Sequence, residues 1–540
     1  VKWKVVYVQT DRYARTMTVS DNIPDDVYDD GCSNDSGKVL IPDSDDGFSF
    51  RKLWAYTGPG LLLCIAYMDP GNIEADLQSG VKANYKILWV LLGSTILGLV
   101  MQRLSLRLGV VTGQHLAEMC YLQYPPLPRL FLWIMMEVAI IGSDMQEVIG
   151  TAIALYLLSN RLIPLWLGVV ITIVDSFMFL LLDKYGLRKV EIFFLSLVGV
   201  MVVTFGYEFL VAMPDGGELA KGLVYPWCDE CDSSVSLQAI GIIGSTIMPH
   251  NLYLHSGLVK SRAVDRSKVK KVQEANNYFF WECFVGLTMS LIINTIIVAV
   301  FAHGLYQKTN VDVVNICLGS EIPYSNVFPN NTEVVELNIY KSGIFLGCQY
   351  GLLAMYVWGV GVLAAGEGTT MTGCYAGQLA MEGFLHLRWS RWKRVLFTRS
   401  FAIVPTFFIA YFSTIGDLNG LNDLLNAVMS IQIPFATLPL VAFTSNPRLM
   451  GQFVNGMTSK IVTSLVSAVV IAINVYFVSS SWLVVAMQDY RLLAFLILYS
   501  LLYFAMCTYL VLHMMANMST SDSVFSRLLL HNATWKNKNI

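Results

Sequence analysis

Two prolines interrupt apolar runs that would otherwise cross a bilayer, and they restrict this chain's folding more than any other feature. The first stands in Ala66-Tyr67-Met68-Asp69-Pro70-Gly71-Asn72, the second in Ser245-Thr246-Ile247-Met248-Pro249-His250-Asn251. Proline lacks a backbone donor and clashes with the preceding turn, so both helices must open there. Freed carbonyls at membrane depth are tolerated only where protein buries them or they line a cavity. Here they neighbour a carboxylate, an amide, a thioether and an imidazole, from Asp69, Asn72, Met248 and His250. That donor set suits a soft-to-borderline divalent metal.

The remaining chain reads as an all-α membrane protein. Only 14% of its 540 residues are charged, against about 25% in soluble proteins. A net charge of −3 points to no nucleic-acid partner. Twelve apolar runs of spanning length start near Leu53, Ile87, Leu130, Leu162, Val190, Leu237, Tyr278, Ile344, Val395, Leu421, Ile461 and Leu492. The broken runs are the first and the sixth. This predicts two five-helix halves, residues 51–213 and 237–444, separated by an outer loop over 214–236. Two extra helices follow over 445–515. Discontinuous helices at matching positions of two halves mark a transporter's binding site. Residues 1–50 are acidic and polar and read as a disordered tail, without the regions of a signal peptide. Residues 516–540 form a second tail, too short for a signalling domain.

Lysine and arginine crowd the loops after spans four, six and eight, including Lys184, Arg188, Lys260, Arg262, Lys268, Arg391 and Lys393. The positive-inside rule then puts both termini in the cytoplasm. The opposite loops are poor in base, and one carries the sequon at Asn330, predicted to be glycosylated. The sequons at Asn34, Asn517 and Asn532 fall on the cytoplasmic side and are expected to stay bare. Cys228 and Cys231 form a C-x-x-C pair that is redox-active, a zinc half-site, or part of a structural disulfide in the outer loops involving Cys317.

Several polar residues in the spans invite a functional and a structural reading together. A mid-membrane carboxylate is costly, so Asp69 must be paired or functional; capping of the resumed helix is the structural reading. Asn72 has the same two readings. Glu74 and Asp76 are expected to be solvated. Met248 is core filler unless its place before Pro249 matters. His250 and His255 are either structural or poised to titrate. Glu137, Asp144 and Glu147 share one face of span three. They form a proton path, or balance Arg262 or Arg399 in a buried network. The small residues from Ala365 to Gln378 suggest close helix packing. Asn426 and Gln432 of span ten join the site or bridge helices.

The two break motifs resemble the hallmark motifs of the Nramp family of divalent-metal transporters, and the resemblance spans roughly residues 50–515. Long outer loops look like the animal, divalent metal transporter 1-like branch. The resemblance implies a LeuT-type 5+5 inverted repeat and proton-coupled import of Mn²⁺ and Fe²⁺, with Cd²⁺ and Co²⁺ as further substrates. It implies metal ligands at Asp69, Asn72, Met248 and the Ala66 carbonyl, with the Ser245 carbonyl where alanine is usual; Asn426 of span ten is a further candidate by its own polarity. It links His250, Glu137, Asp144, Glu147, Arg262 and Arg399 to proton movement. Glu367 and Gly368 depart from the usual glutamine and serine. Metal and proton are cargo, so no cofactor is expected. The transport unit is expected to be a monomer, in the plasma membrane or the endosomal-lysosomal membranes. A receptor-like sensor on the same fold, an intramembrane metalloenzyme and a sodium-coupled amino-acid carrier are the competing readings. No H-E-x-x-H spacing supports the enzyme, and a thioether suits neither Na⁺ nor a carboxylate substrate.

Overall fold

The computed structural model describes residues 38–42, 49–183, 186–226, 228, 231–320, 327–386, 391–412, 419–486 and 490–518. Among these residues the chain is helical, with isolated bridges at Val39–Arg262 and Thr309–Val334. Span one is two helices, α1a (Pro59–Ala66) and α1b (Pro70–Ala83). Then come α2 (Leu88–Thr112), α3 (Pro126–Leu158), α4 (Leu165–Asp183) and α5 (Leu187–Ala212). The second half opens with α6a (Ser233–Thr246) and α6b (Pro249–Leu258). It continues as α7 (Val269–Leu305), α8 (Leu352–Leu385), α9 (Arg391–Phe412), α10a (Asn419–Gln432) and α10b (Pro434–Thr444). The last two helices are α11 (Met457–Ala486) and α12 (Tyr490–Met518).

Eight of these are long and apolar enough to cross a membrane, and Leu165–Phe177 and Leu396–Phe412 are shorter apolar helices. With the two broken helices they account for every predicted span. Two departures have local causes. Ile344 lies in a separate helix, Ile339–Tyr350, because Gly351 at φ +96° turns the chain before α8 begins. Only glycine adopts that backbone at little cost. Span ten is interrupted at Pro434, which removes one backbone donor.

The broken helices lie inside the bundle. α1b packs on α7, α6a and α3, α1a on α7, α8 and α5, and α6b on α2 and α8. Glycines let α8 close on its neighbours. A Cβ on Gly373 would stand 2.6 Å from Asp144 Oδ1, and one on Gly368 2.5 Å from Ile65 Cγ2. The departure at Gly368 therefore fits the close approach of α1a.

Polar contacts fasten the foot of α1a. Arg262 pairs with Glu191 of α5 at 2.7 Å and donates to the Ala55 carbonyl at 3.1 Å and to that of Thr57. Glu282 of α7 accepts from Gly60 N at 2.9 Å and from Gly58 N. Residues 38–42 of the acidic tail are ordered, contrary to expectation. Val39 N donates to the Ser261 carbonyl and its own carbonyl accepts from Ala263 N, both at 3.1 Å. The rest of residues 1–48, together with Asn532, lies outside the described residues. Cys228 bonds to Cys231, and Cys317 bonds to Cys348. The expected structural disulfide does involve Cys317, with Cys348 as its partner, while the C-x-x-C pair closes on itself.

Candidate metal site

The backbone at each break follows from its proline. Pro70 begins α1b and Pro249 begins α6b, each at a first-turn position whose N–H would have no helical partner anyway. The residues ahead of them, Asp69 (φ −74°, ψ 162°) and Met248 (φ −72°, ψ 126°), are extended. Asp69 caps α1b, with Oδ1 accepting from Asn72 N at 3.0 Å. The capping reading is thus realised, but it uses one oxygen only. Asp69 Oδ2 is buried without a hydrogen-bond partner, and the Asn72 side chain lies beside the carboxylate. Met248 caps nothing and is buried. The breaks are joined by Asn251 Nδ2, which donates to the Ala66 carbonyl at 3.2 Å. That carbonyl keeps a second lone pair. The Ser245 hydroxyl donates to the Ile242 carbonyl at 3.2 Å, so it turns back into its own helix.

Span three divides its acids. Asp144 and Glu147 both lie 3.4 Å from Arg399 Nη1, all three buried. Arg399 also donates to the Thr370 carbonyl, and Ser143 Oγ to Glu147 at 3.3 Å. Glu137 stands apart, half-buried, accepting from Trp133 Nε1 at 2.9 Å. Arg262 joins none of these acids, being held at the foot of α1a by Glu191. Of the two candidate counter-charges it is therefore Arg399 that pairs with Asp144 and Glu147.

The histidines also separate. His250 is buried with Nδ1 unpartnered. His255 Nδ1 meets Gln102 Oε1 at 3.0 Å, and that amide also donates to the Tyr67 hydroxyl at 3.2 Å, a packing role between α6b and α2. In span ten, Asn426 Oδ1 accepts from Gln146 Nε2 at 2.8 Å, beside the first break. Gln432 hydrogen-bonds Tyr499 and bridges to α12 instead. Glu74 and Asp76, expected to be solvated, are 5% and 2% exposed because α1b is enclosed on all sides. Glu367 lies beside Asp175 of α4.

Sequence reasoning missed Gln146, Asn251, Glu191 and Glu282. Gln146 had a signal, lying between Asp144 and Glu147 on a helix already singled out. Glu191 and Glu282 are acids within apolar runs, which membrane cost alone marks for a partner.

Broken helices at matching positions of two halves are an arrangement of membrane transporters. The sulfur, amide and carbonyl donors at the two breaks, with the Asp69 carboxylate, are of the types that suit a transition metal. A family model described as natural resistance-associated macrophage protein-like, Nramp, matches residues 60–480. Protein Malvolio of Drosophila melanogaster is 58% identical over 504 residues, 91% of this chain and 83% of that protein. A crystal structure of a manganese transporter from Eremococcus coleocola, in complex with an aromatic bis-isothiourea substituted compound, superposes with a TM-score of 0.75. It is 28% identical and covers 93% of this chain and 100% of its own. MHP1, a nucleobase-cation-symport-1 family transporter, shares the fold at a TM-score of 0.52 and 12% identity, covering 88% of this chain and 96% of its own. The chain belongs to the Nramp family, in its animal branch. It is a multi-pass membrane transporter of divalent metal, not an enzyme.

Proposed function

We propose that the chain imports Mn²⁺ and Fe²⁺, with Cd²⁺ and Co²⁺ as further substrates, into the cytoplasm by proton-coupled alternating access. The observation that carries this reading is the buried, unpartnered Oδ2 of Asp69 at a break that Asn251 ties to the one at Met248. A buried carboxylate oxygen without a donor is costly, and a cation supplies what is missing. Asp69, Asn72, Met248 and the Ala66 carbonyl are the proposed ligands, with the Ser245 carbonyl and Asn426 completing the shell as the halves move.

M²⁺ beside one carboxylate leaves a net +1, which favours loss of a nearby proton. His250 and Asp69 receive the proton on entry in this scheme, and Asp144 and Glu147 carry it inward beside Arg399. Alternating access opens one end at a time. The ties of Arg262, Glu191 and Glu282 to the foot of α1a close the end assigned to the cytoplasm, so metal release requires them to part. Radiolabelled Mn²⁺ uptake into proteoliposomes, with and without an inward proton gradient, tests the proposal. Uptake that ignores the gradient refutes coupling, and absence of uptake refutes Mn²⁺ as cargo.

The orientation has its own test. Asn330 is exposed, on the side proposed to face outward. Asn330→Gln should abolish a glycan-dependent mass shift in cells. A shift that persists and maps to Asn34 or Asn532 would invert the topology.

A further inference from the structure

Next to the first break, away from the foot of α1a, lies a small chamber of mixed lining. Glu74 of α1b, Gln146 of α3 and Asn422 of α10a supply its polar walls, and Pro70, Ile149, Ile339 and Leu425 its apolar ones. Its volume is about 10 Å³, counted as space for a water's centre, which is room for roughly one water or one partly dehydrated ion. Glu74 is 5% exposed and Gln146 3%. Gln146 spends its Nε2 on Asn422 Oδ1 at 2.5 Å and Asn426 Oδ1 at 2.8 Å, which leaves Oε1 buried and unpartnered. A Cβ on Gly71 would sit 2.6 Å from that Oε1. The orphan oxygen therefore touches the break itself, between Asp69 and Asn72, while its residue lines the chamber.

The charges around Glu74 favour a cation. Gln78 Nε2 reaches it at 3.5 Å, a weak contact. Lys82 Nζ is held by amides one turn further out, Gln78 Oε1 at 2.9 Å and Gln238 Oε1 at 3.3 Å. Asp423 adds a like charge beside Glu74. Lys82 offsets one of the two carboxylates, which leaves the recess with one negative charge in excess to attract a cation.

We propose that Glu74 and the Gln146 amide oxygen form an outer holding site where a divalent metal ion pauses before passing to Asp69. The inference rests on the transport direction proposed above. One carboxylate and one amide oxygen, completed by water, bind weakly. Weak binding suits a waypoint, because an ion held too firmly would not move on. The site has no sulfur, so it captures the ion without discriminating among metals, and selection falls to Met248.

The test is the initial rate of Mn²⁺ uptake against Mn²⁺ concentration, for the full chain in proteoliposomes, at low and at physiological ionic strength. Glu74→Gln should raise the half-saturating concentration about tenfold at low ionic strength and flatten its salt dependence, because local enrichment by charge is lost. Glu74→Asp, which keeps the charge, should recover most of the shift. The proposal is overturned if Glu74→Gln lowers only the maximal rate. It is also overturned if Glu74→Asp behaves like Glu74→Gln, which would assign Glu74 to packing against Gln78. Absence of Mn²⁺ uptake by the unaltered protein would instead sink the transport reading itself.

Discussion

At the first break the residue before the proline caps the next helix with its own side chain; at the second it does not. Asp69 gives Oδ1 to Asn72 N and keeps Oδ2 free. Met248 holds the corresponding extended backbone but makes no cap. A carboxylate has two oxygens and can divide them between a helix end and a cargo. A thioether is a poor acceptor for N–H groups, so its sulfur stays uncommitted. The same backbone device thus yields a charged, structurally anchored donor on one side and a soft, uncommitted one on the other. The uncapped end of α6b also carries the positive end of its helix dipole. Of the two residues that precede the prolines, only Asp69 carries a formal charge.

The largest effect should come from removing that charge while keeping the cap. Asparagine caps as well as aspartate, so Asp69→Asn should melt within about 1 kcal/mol of the unaltered protein. Its Mn²⁺ uptake should fall about 100-fold or more, because losing the charged partner of a buried cation costs about 3 kcal/mol or more. Asp69→Ala should lose both, with about 1 kcal/mol of added instability. Thermal melting of purified protein and uptake in proteoliposomes separate the two roles. An Asp69→Asn protein that transports at more than a tenth of the normal rate would break the contrast between the breaks.

Much of this was legible in the chain because membrane cost makes polar residues conspicuous. The breaks, the two-half organisation and the acid row of span three all come from proline and from charge where charge is expensive. What the sequence hid was pairing across helices. Arg262 and Arg399 look equivalent as counter-charges for span three, yet Arg262 reaches Glu191 and the foot of α1a instead. Glu74 and Asp76 look like the solvated end of a helix, because nothing local says that α1b is enclosed by α3, α6a and α7. Cys317 finds Cys348, which sits in a helix the sequence merges with span eight until Gly351 separates them. Periodicity reports which face of one helix is polar; it does not report what stands opposite.

A smaller effect is expected at the second break. Oxygen donors alone would favour Ca²⁺, which takes six to eight of them. The thioether offers Ca²⁺ nothing and suits softer ions. Met248→Ala should therefore lower Cd²⁺ transport about tenfold more than Mn²⁺ transport, about 1.4 kcal/mol of selectivity, and let Ca²⁺ compete. No cap is lost, so melting should change only by the void left by a buried methionine, about 2–5 kcal/mol. Competition assays with the three ions decide it. Parallel loss of Cd²⁺ and Mn²⁺ transport, with Ca²⁺ still excluded, would show that the sulfur is not the filter.

The smallest effect on metal uptake should come from Asp144→Asn, and it asks whether the first break has a proton outlet that the second lacks. Glu147 is close enough to Asp69 to feel its charge, and Asp144 shares Arg399 with Glu147. If the acids served only to balance Arg399, removing one would disturb the fold or both fluxes alike. The geometry argues otherwise. Arg399 keeps Glu147 and the Thr370 carbonyl after the change, so the arginine is not left as an orphan charge. Metal uptake should then stay within about threefold, because the large cost of an unpaired buried ion does not arise. Proton influx should fall much further, and uptake should lose most of its dependence on external pH. Both fluxes are to be measured in the same vesicles, after the variant is shown to be monodisperse. Equal loss of metal and proton movement would reduce Asp144 to a strut for Arg399, and would leave the first break with no outlet beyond Glu147.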